Sequence, residues 1–204
     1  MVKSYKITKA PLAVKTLGAS KVYDGTALTK EDGATISGLV NNETATVKGT
    51  GSITNVGTET NTYKINWGTA EAKNYEVKTE DLGTLEIFAA EYTIKAEDYN
   101  GIYDGKSHGI IVTVPDDATV TYSTSNSYTN VTEGSITVNY KVTRPNYKDI
   151  TGTQTVTITK APLTVKTLGA SKVYDGTALT KEDGATISGL VNNETATAKG
   201  TGSI

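Results

Sequence analysis

Residue types suited to proton transfer are scarce in this sequence. The 204-residue chain has one histidine, His108, which follows Lys106-Ser107 just after a predicted turn. A hydrolytic triad needs a base that accepts a proton near neutral pH, and histidine is the usual one. No partner pattern surrounds His108, so we interpret it as a solvated loop residue. The sequence predicts no catalytic residues and a protein that is not an enzyme.

Carboxylate pairs occur at Glu31-Asp32 and Asp116-Asp117. A glycosidase needs two carboxyl groups that face each other across a cleft, whereas these pairs are adjacent in turn-like segments. The alternating Asp-x-Asp-x-Asp-Gly spacing of calcium loops is missing, and the chain has no cysteine for disulfides or thiolate metal sites. We therefore interpret both pairs as solvated and predict no metal and no cofactor.

A Tyr-Asp-Gly motif occurs at Tyr23-Asp24-Gly25, Tyr103-Asp104-Gly105 and Tyr174-Asp175-Gly176. Asp-Gly tolerates the positive φ angles of tight turns. One interpretation is a ligand-binding loop whose tyrosine stacks on a sugar; the other is a strand end whose tyrosine packs within the fold. We favour the structural interpretation, because the motif recurs in segments that otherwise differ. The same holds for Asn74-Tyr75 and Asn146-Tyr147, which follow alternating segments.

The motif belongs to a long repeat. Residues 158–204 copy residues 7–53 at an offset of 151, and two positions differ: Ala13 corresponds to Thr164 and Val47 to Ala198. Such self-similarity is typical of repeat architectures. The sequence predicts repeat A at 1–89, a shorter repeat B at 90–160, and a truncated repeat A′ at 161–204, which lacks counterparts of residues 54–88.

The elements that position these motifs have a period of two. Tyr63, Ile65 and Trp67 alternate with polar residues, which places Trp67 in the core rather than on a binding platform. The same pattern occurs in residues 135–142 and in the closing strands with Leu85, Ile87, Val156 and Ile158. This alternation is typical of antiparallel sheets with one buried face. The short helix candidates 28–36 and 69–73 sustain no helical period, so the chain is predicted to be all-β.

Composition excludes several partners. The net charge of −2 with interspersed signs gives no electrostatic case for nucleic acid. No run of about 18 apolar residues exists, so we expect no membrane contact by this segment. The first six residues have no apolar signal-peptide core, and the chain ends within a repeat. We therefore expect a piece excised from a longer protein.

Five motifs in order resemble the YDG-type repeats of bacterial surface proteins. They are Lys21 to Thr26, Ile36 to Leu39, Asn55-Val56-Gly57-Thr58, Lys73-Asn74-Tyr75 and Gly83 to Ile87. The Lys-Ala-Pro-Leu segments at Lys9 to Leu12 and Lys160 to Leu163 are similar to those of MBG repeats in adhesins, chiefly Gram-positive ones. The resemblance covers repeat A and as much of A′ as is present. Repeat B resembles a divergent relative that lacks the Asn-Val-Gly-Thr element.

The resemblance implies tandem, immunoglobulin-like β-sandwich domains of an extracellular adhesin at the bacterial cell surface. A β-grasp-like module is the alternative fold, and it requires a helix. Short joints such as Lys160-Ala161-Pro162 restrict domain orientation, so we expect an elongated, semi-rigid string. We predict a stalk or spacer that projects a distal binding region. The alternative is that each repeat binds a host glycan or mucin weakly and acts by avidity; a matrix protein is a further candidate partner of the parent adhesin.

Repeat A′ lacks the closing strands of its core, and about 44 residues rarely fold alone. Because its sequence is nearly that of residues 7–53, it is expected to pair with the second half of repeat A in another molecule. We therefore predict that residues 161–204 are disordered or strand-exchanged. Whether a Lys–Asn isopeptide bond forms within a domain is left open.

Overall fold

The computed structural model describes residues 3–204, and these residues form an all-β protein, as predicted. Two compact units are present. Unit 1 comprises Met1–Thr93 and Arg144–Lys148, and unit 2 comprises Ile94–Thr143 and Asp149–Ile204. The one helical element in the described residues is a 3-10 turn at Ala72–Asn74, which overlaps the weak helix candidate at 69–73. The helix required by the β-grasp alternative is therefore not found in residues 3–204.

Unit 1 contains ten short strands that pair over long sequence separations. They are β1 Ala10–Lys15, β2 Ala19–Val22, β3 Leu28–Thr29, β4 Thr35–Ser37, β5 Ala45–Gly49, β6 Ser52–Ile53, β7 Gly57–Thr60, β8 Tyr63–Trp67, β9 Tyr75–Asp81 and β10 Thr84–Phe88. The sheet orders are β4-β1-β9, β2-β10-β7, β3-β6 and β5-β8.

The sheets of unit 1 are mixed rather than purely antiparallel. β1 runs parallel to β9, with Ala10 opposite Tyr75, and β2 runs parallel to β10, with Ala19 opposite Leu85. β4 and β7 add antiparallel edges to these two pairs. The closing strands β9 and β10 thus pair with the opening strands β1 and β2 of the unit.

The core of unit 1 follows the predicted alternation. Leu85 and Ile87 are buried with Leu28, and Leu12 is buried with Ala70 and Tyr75. On β8 the side chains of Tyr63, Ile65 and Trp67 are partly buried while their neighbours are exposed. Trp67 packs against the Leu12 cluster, as its alternation predicted.

Unit 2 has a four-stranded sheet in the order β12-β16-β15-β14, with smaller pairs β11-β13 and β17-β18. The strands are β11 Lys95–Glu97, β12 Tyr99–Ile102, β13 Ile111–Thr113, β14 Thr119–Tyr122, β15 Ile136–Thr143, β16 Ile150–Thr159, β17 Thr164–Lys166 and β18 Thr186–Ser188. β12 runs parallel to β16, as β2 does to β10. Its core comprises Ile110, Val138, Val156 and Ile158.

Residues 161–204 contain no buried side chain. Leu163 is 54% exposed, whereas its counterpart Leu12 in unit 1 is 1% exposed. β17 pairs only with β18, the counterpart of β4. The difference arises because β9 covers Leu12 and no corresponding strand is present beside Leu163.

Candidate functional site

The first Tyr-Asp-Gly motif forms a self-contained polar turn. β2 ends at Val22, and Gly25 has a φ of 82°, a left-handed conformation that favours glycine. Asp24 Oδ1 accepts hydrogen bonds from the Thr26 amide at 2.9 Å and the Thr26 hydroxyl at 2.7 Å. Lys21 Nζ donates to the same oxygen at 2.7 Å. The turn does not close a hairpin, since β2 pairs with β10 and β3 pairs with β6.

The third copy repeats this turn. Asp175 Oδ1 accepts from Thr177 N at 3.0 Å and from Lys172 Nζ at 2.8 Å. Gly176 has a φ of 75°. Because the contacts persist where no side chain is buried, the local sequence by itself is enough to specify the turn.

The second copy uses His108 instead of lysine. His108 Nε2 lies 2.8 Å from Asp104 Oδ1, and the imidazole stacks on Tyr99 with ring centroids 4.3 Å apart. Asp104 Oδ1 also accepts from the Lys106 amide at 2.9 Å. The interpretation of His108 as a solvated loop residue without a partner is therefore wrong, because Asp104 lies four residues away across the turn. The His108–Asp104 pair closes a turn. The described contacts of these two residues include no third side chain that would complete a catalytic triad.

Hydrogen bonding shifts the acidity of these motif carboxyls. The Lys21 ammonium and the Thr26 groups hold the pKa of Asp24 well below its usual range. Hydrogen bonds from His108 and the Lys106 amide lower the pKa of Asp104. Lys172 and Thr177 lower the pKa of Asp175 in the same way. The anionic form of each motif carboxyl is thus the one that fits the folded turn.

We expect the Asp24 turn to weaken in acid. A carboxyl whose pKa is depressed by folding stabilises the folded state above its unfolded pKa of about 4, and this stabilisation is lost as pH falls. The unfolding free energy of the wild type should therefore exceed that of Asp24→Asn at neutral pH, with a difference that shrinks below about pH 4. Urea unfolding monitored by Trp67, the only tryptophan, measures this difference. A difference that stays constant from pH 7 to pH 2 would contradict the prediction.

The motif tyrosines differ in their surroundings. Tyr23 packs against the Leu28, Leu85 and Ile87 cluster, and Tyr103 packs against the core of unit 2. Tyr174 is 93% exposed. Three identical motifs thus give two tyrosines packed in the fold and one exposed to solvent.

Asn74 and Tyr75 join the 3-10 turn to β9. Tyr75 is a buried residue, and its hydroxyl donates to Glu43 Oε2 at 2.5 Å and accepts from the Val40 amide at 3.1 Å. The Tyr75 ring stacks on Trp67 at a centroid distance of 6.0 Å. Hydrogen bonding to Glu43 raises the pKa of Tyr75.

Asn146 and Tyr147 lie in the Arg144–Lys148 segment of unit 1. The Tyr147 ring contacts Tyr23 edge-on at 5.6 Å and Tyr92 at 5.4 Å. Asn146 has a φ of 67°, and its Oδ1 accepts from the Val56 amide at 2.8 Å. The structure therefore brings together Tyr23 and Tyr147, two predicted motif residues that are 124 positions apart in the sequence.

A buried polar cluster around Asn61 was missed by sequence reasoning. Asn61 Nδ2 donates to the carbonyls of Leu17 at 2.9 Å and Lys30 at 2.7 Å, and its Oδ1 accepts from the Gly51 amide at 3.0 Å. The buried Thr16 hydroxyl donates to the Asn61 carbonyl at 2.7 Å and accepts from the Gly83 amide at 3.0 Å. The signal in the sequence was a single asparagine just before an alternating strand, which resembles any loop asparagine.

The acidic pairs lie at the surface, with Glu31 and Asp32 exposed in one turn and Asp116 and Asp117 exposed in another. Within residues 3–204 no group of three or more histidine, cysteine or acidic side chains is arranged to hold a metal ion. The described part of the chain contains no helix long and apolar enough to cross a membrane.

The family model of the YDG domain matches residues 8–82, which include the first Tyr-Asp-Gly turn, Asn61 and Tyr75. No curated protein matches the chain.

Proposed function

We propose that this chain, in which residues 8–82 form a YDG domain, is a non-catalytic spacer segment of a bacterial surface adhesin. The segment is extracellular and holds a distal binding region away from the cell. Its own repeats supply length rather than recognition. Contact with a host glycan, mucin or matrix protein is made by another part of the parent protein.

The observation that carries this proposal is the use of the motif side chains inside the protein. The Tyr23 ring is partly buried and packs against Tyr147 and the core, so part of the surface that would stack on a sugar is already in contact within the protein. The Asp24 carboxylate, which would bind a sugar hydroxyl, is held by Lys21 and Thr26. These contacts support a structural role for the motif.

The repetition of sequence also supports a spacer. Residues 158–204 copy residues 7–53 with two changes, so the same module recurs every 151 residues. Extension of a stalk by duplication requires modules that fold alike, and it requires no binding site in each of them.

A binding screen of the chain against a glycan array and mucin tests the proposal. It should be run with the monomeric protein and with the protein displayed on a multivalent bead, because avidity reveals weak sites. We expect no saturable binding in either format. Saturable binding to one glycan class that is lost in Tyr174→Ala, which removes the exposed motif tyrosine, would overturn the spacer and favour glycan recognition by the repeats.

Self-association through residues 161–204 is also proposed. Leu163 and Val165 are 54% and 56% exposed. Their counterparts Leu12 and Val14, on strand β1, are 1% and 2% exposed, and β1 pairs with β9. Strand β9 of another copy, which runs parallel to the corresponding strand in repeat A, would cover Leu163 and Val165 in the same way. Sedimentation over a range of concentrations measures this association, and Val165→Asp is expected to weaken it.

A further inference from the structure

We propose that each repeat carries a socket for the Asn-Tyr segment of the next repeat. In repeat A this socket is formed by the Tyr-Asp-Gly tyrosine, Tyr23, and by the Asn55-Val56 pair. Consecutive repeats would then be joined by a specific contact as well as by the covalent linker. The proposal concerns how repeats are connected and holds whether or not the chain binds glycans.

The Tyr147 ring is held in place by aromatic and cationic neighbours. Its ring meets Tyr23 at an interplanar angle of 78° and Tyr92 at 72°, so both contacts are edge-to-face. The guanidinium of Arg144, the only arginine of the chain, lies 3.9 Å from the Tyr147 ring centroid. Aromatic edge contacts and cation–π contacts are both directional, so they fix the orientation of the ring.

Asn146 forms hydrogen bonds with two segments of unit 1. Its Oδ1 accepts from the Val56 amide at 2.8 Å, and its Nδ2 donates to Asn55 Oδ1 at 3.1 Å. The Asn146 carbonyl accepts from the Ala90 amide at 3.1 Å, and the Ala90 carbonyl accepts from the Lys148 amide at 2.8 Å. One asparagine thus connects Asn55-Val56 with Ala90.

Strand pairing places Tyr147 in the repeat that follows. In repeat A, Ala10 lies opposite Tyr75 in a parallel pair. Ala90 lies opposite Tyr147 in a parallel bridge. Ala90 and Tyr147 therefore correspond to Ala10 and Tyr75 one repeat later, so Tyr23 of one repeat contacts the Asn-Tyr tyrosine of the next.

Unit 2 contains a second socket. The Thr132 amide donates to the Ile158 carbonyl at 3.0 Å, in the position where Gly57 pairs with Ile87. Val131 therefore takes the place of Val56, and Asn130-Val131-Thr132 occupies in repeat B the position of Asn55-Val56-Gly57 in repeat A. Repeat B lacks the full Asn-Val-Gly-Thr element but keeps an Asn-Val pair at the same place.

The second socket contacts residues of repeat A′. The Tyr103 hydroxyl donates to Glu194 Oε1 at 2.5 Å, and Glu194 is the counterpart of Glu43, which accepts from Tyr75. Tyr103 and Val131 line a cavity of about 230 Å³ with Leu163, Val191 and Glu194. A Tyr-Asp-Gly tyrosine thus contacts the next repeat in both units: Tyr23 contacts the Asn-Tyr tyrosine itself, and Tyr103 contacts the counterpart of the glutamate that accepts from Tyr75.

A double-mutant cycle between Tyr23→Ala and Tyr147→Ala tests the first socket, with unfolding of unit 1 followed by Trp67 fluorescence. We expect the effects on the unfolding equilibrium constant to be non-additive by about three- to tenfold. The matched control replaces Tyr23→Ala by Tyr174→Ala, the identical motif tyrosine that is exposed, and this pair should be additive. Additive effects of Tyr23→Ala and Tyr147→Ala would overturn the proposal.

Hydrogen exchange provides a second measurement that does not depend on alanine variants in the core. Asn146→Ala should reduce protection of the Val56 amide about tenfold, while Asn74→Ala, the counterpart in repeat A, should leave it unchanged. Unchanged Val56 protection in Asn146→Ala would overturn the proposal.

The second socket is tested by glycine variants. A Cβ on Gly105 would lie 2.5 Å from Asn192 Cβ, whereas a Cβ on Gly25 or Gly176 would meet no atom within 4 Å. All three glycines have positive φ, so alanine strains each turn alike. Only Gly105→Ala should also reduce amide protection at Glu194; equal, unchanged protection in all three variants would overturn the contact.

Discussion

Replacing Asn61 with alanine is expected to lower the unfolding free energy of unit 1 by about 3–5 kcal/mol. The Asn61 side chain is fully buried, and it pairs with the Leu17 and Lys30 carbonyls and the Gly51 amide. Alanine leaves these three backbone groups without that partner, and each unsatisfied buried group costs about 1–3 kcal/mol before relaxation.

Solvent cannot easily replace the amide, because the surrounding backbone is close-packed. A Cβ on Gly49 would lie 2.7 Å from Asn61 Nδ2, so the strand beside the amide has room only for glycine. Asn61→Asp should be at least as destabilising, because a carboxylate oxygen would face the Leu17 and Lys30 carbonyls.

Urea unfolding followed by Trp67 fluorescence and far-UV circular dichroism measures this effect. Asn66→Ala is the matched control, because Asn66 lies on the exposed side of β8. We expect Asn66→Ala to change stability by less than about 0.5 kcal/mol. If Asn61→Ala lowers the unfolding free energy by less than about 1 kcal/mol, the polar cluster does not stabilise unit 1 as expected.

The second large effect compares two leucines in nearly identical sequence. Leu12→Ala should destabilise unit 1 by about 3 kcal/mol, because Leu12 is 1% exposed and its removal leaves a cavity. Leu163→Ala, at the same place in the repeat, should change stability by less than about 0.5 kcal/mol, because Leu163 is 54% exposed.

Both leucine variants are measured by urea unfolding at a concentration where the protein is monomeric. Equal destabilisation by the two substitutions would contradict the prediction. A Leu163→Ala effect that grows with protein concentration would instead support self-association through residues 161–204.

The period-two pattern was sufficient to predict the fold class and the buried faces. Tyr63, Ile65 and Trp67 on β8 and Val138 and Val142 on β15 face inward as the alternation indicated. The Tyr-Asp-Gly turn was also predictable, because the Asp24 contacts lie within the short segment from Lys21 to Thr26. Local contacts of this kind depend on residue types and short spacing, both of which are read directly from the sequence.

The parallel pairs β1–β9 and β2–β10 were not predictable, because they join segments more than 60 residues apart and carry no turn signature. The contacts of Asn61 with three backbone groups were missed for a related reason, because they depend on where distant backbone segments arrive in space. The contact of His108 with Asp104 is local, and it was missed because a histidine after the turn replaces the lysine that precedes it in the other two copies.

The sequence by itself determined that this protein is a β-repeat whose 151-residue period carries a Tyr-Asp-Gly turn, and the family match at residues 8–82 agrees with that assignment. Only the tertiary structure decided which copies of the repeat have a buried core and which motif tyrosines make contacts. Leu12 and Leu163 lie in nearly identical sequence, and Tyr23 and Tyr174 have the same neighbours along the chain, yet one of each pair is packed and the other is exposed. The physical reason is that burial depends on the strands that cover a residue, and those strands come from elsewhere in the chain.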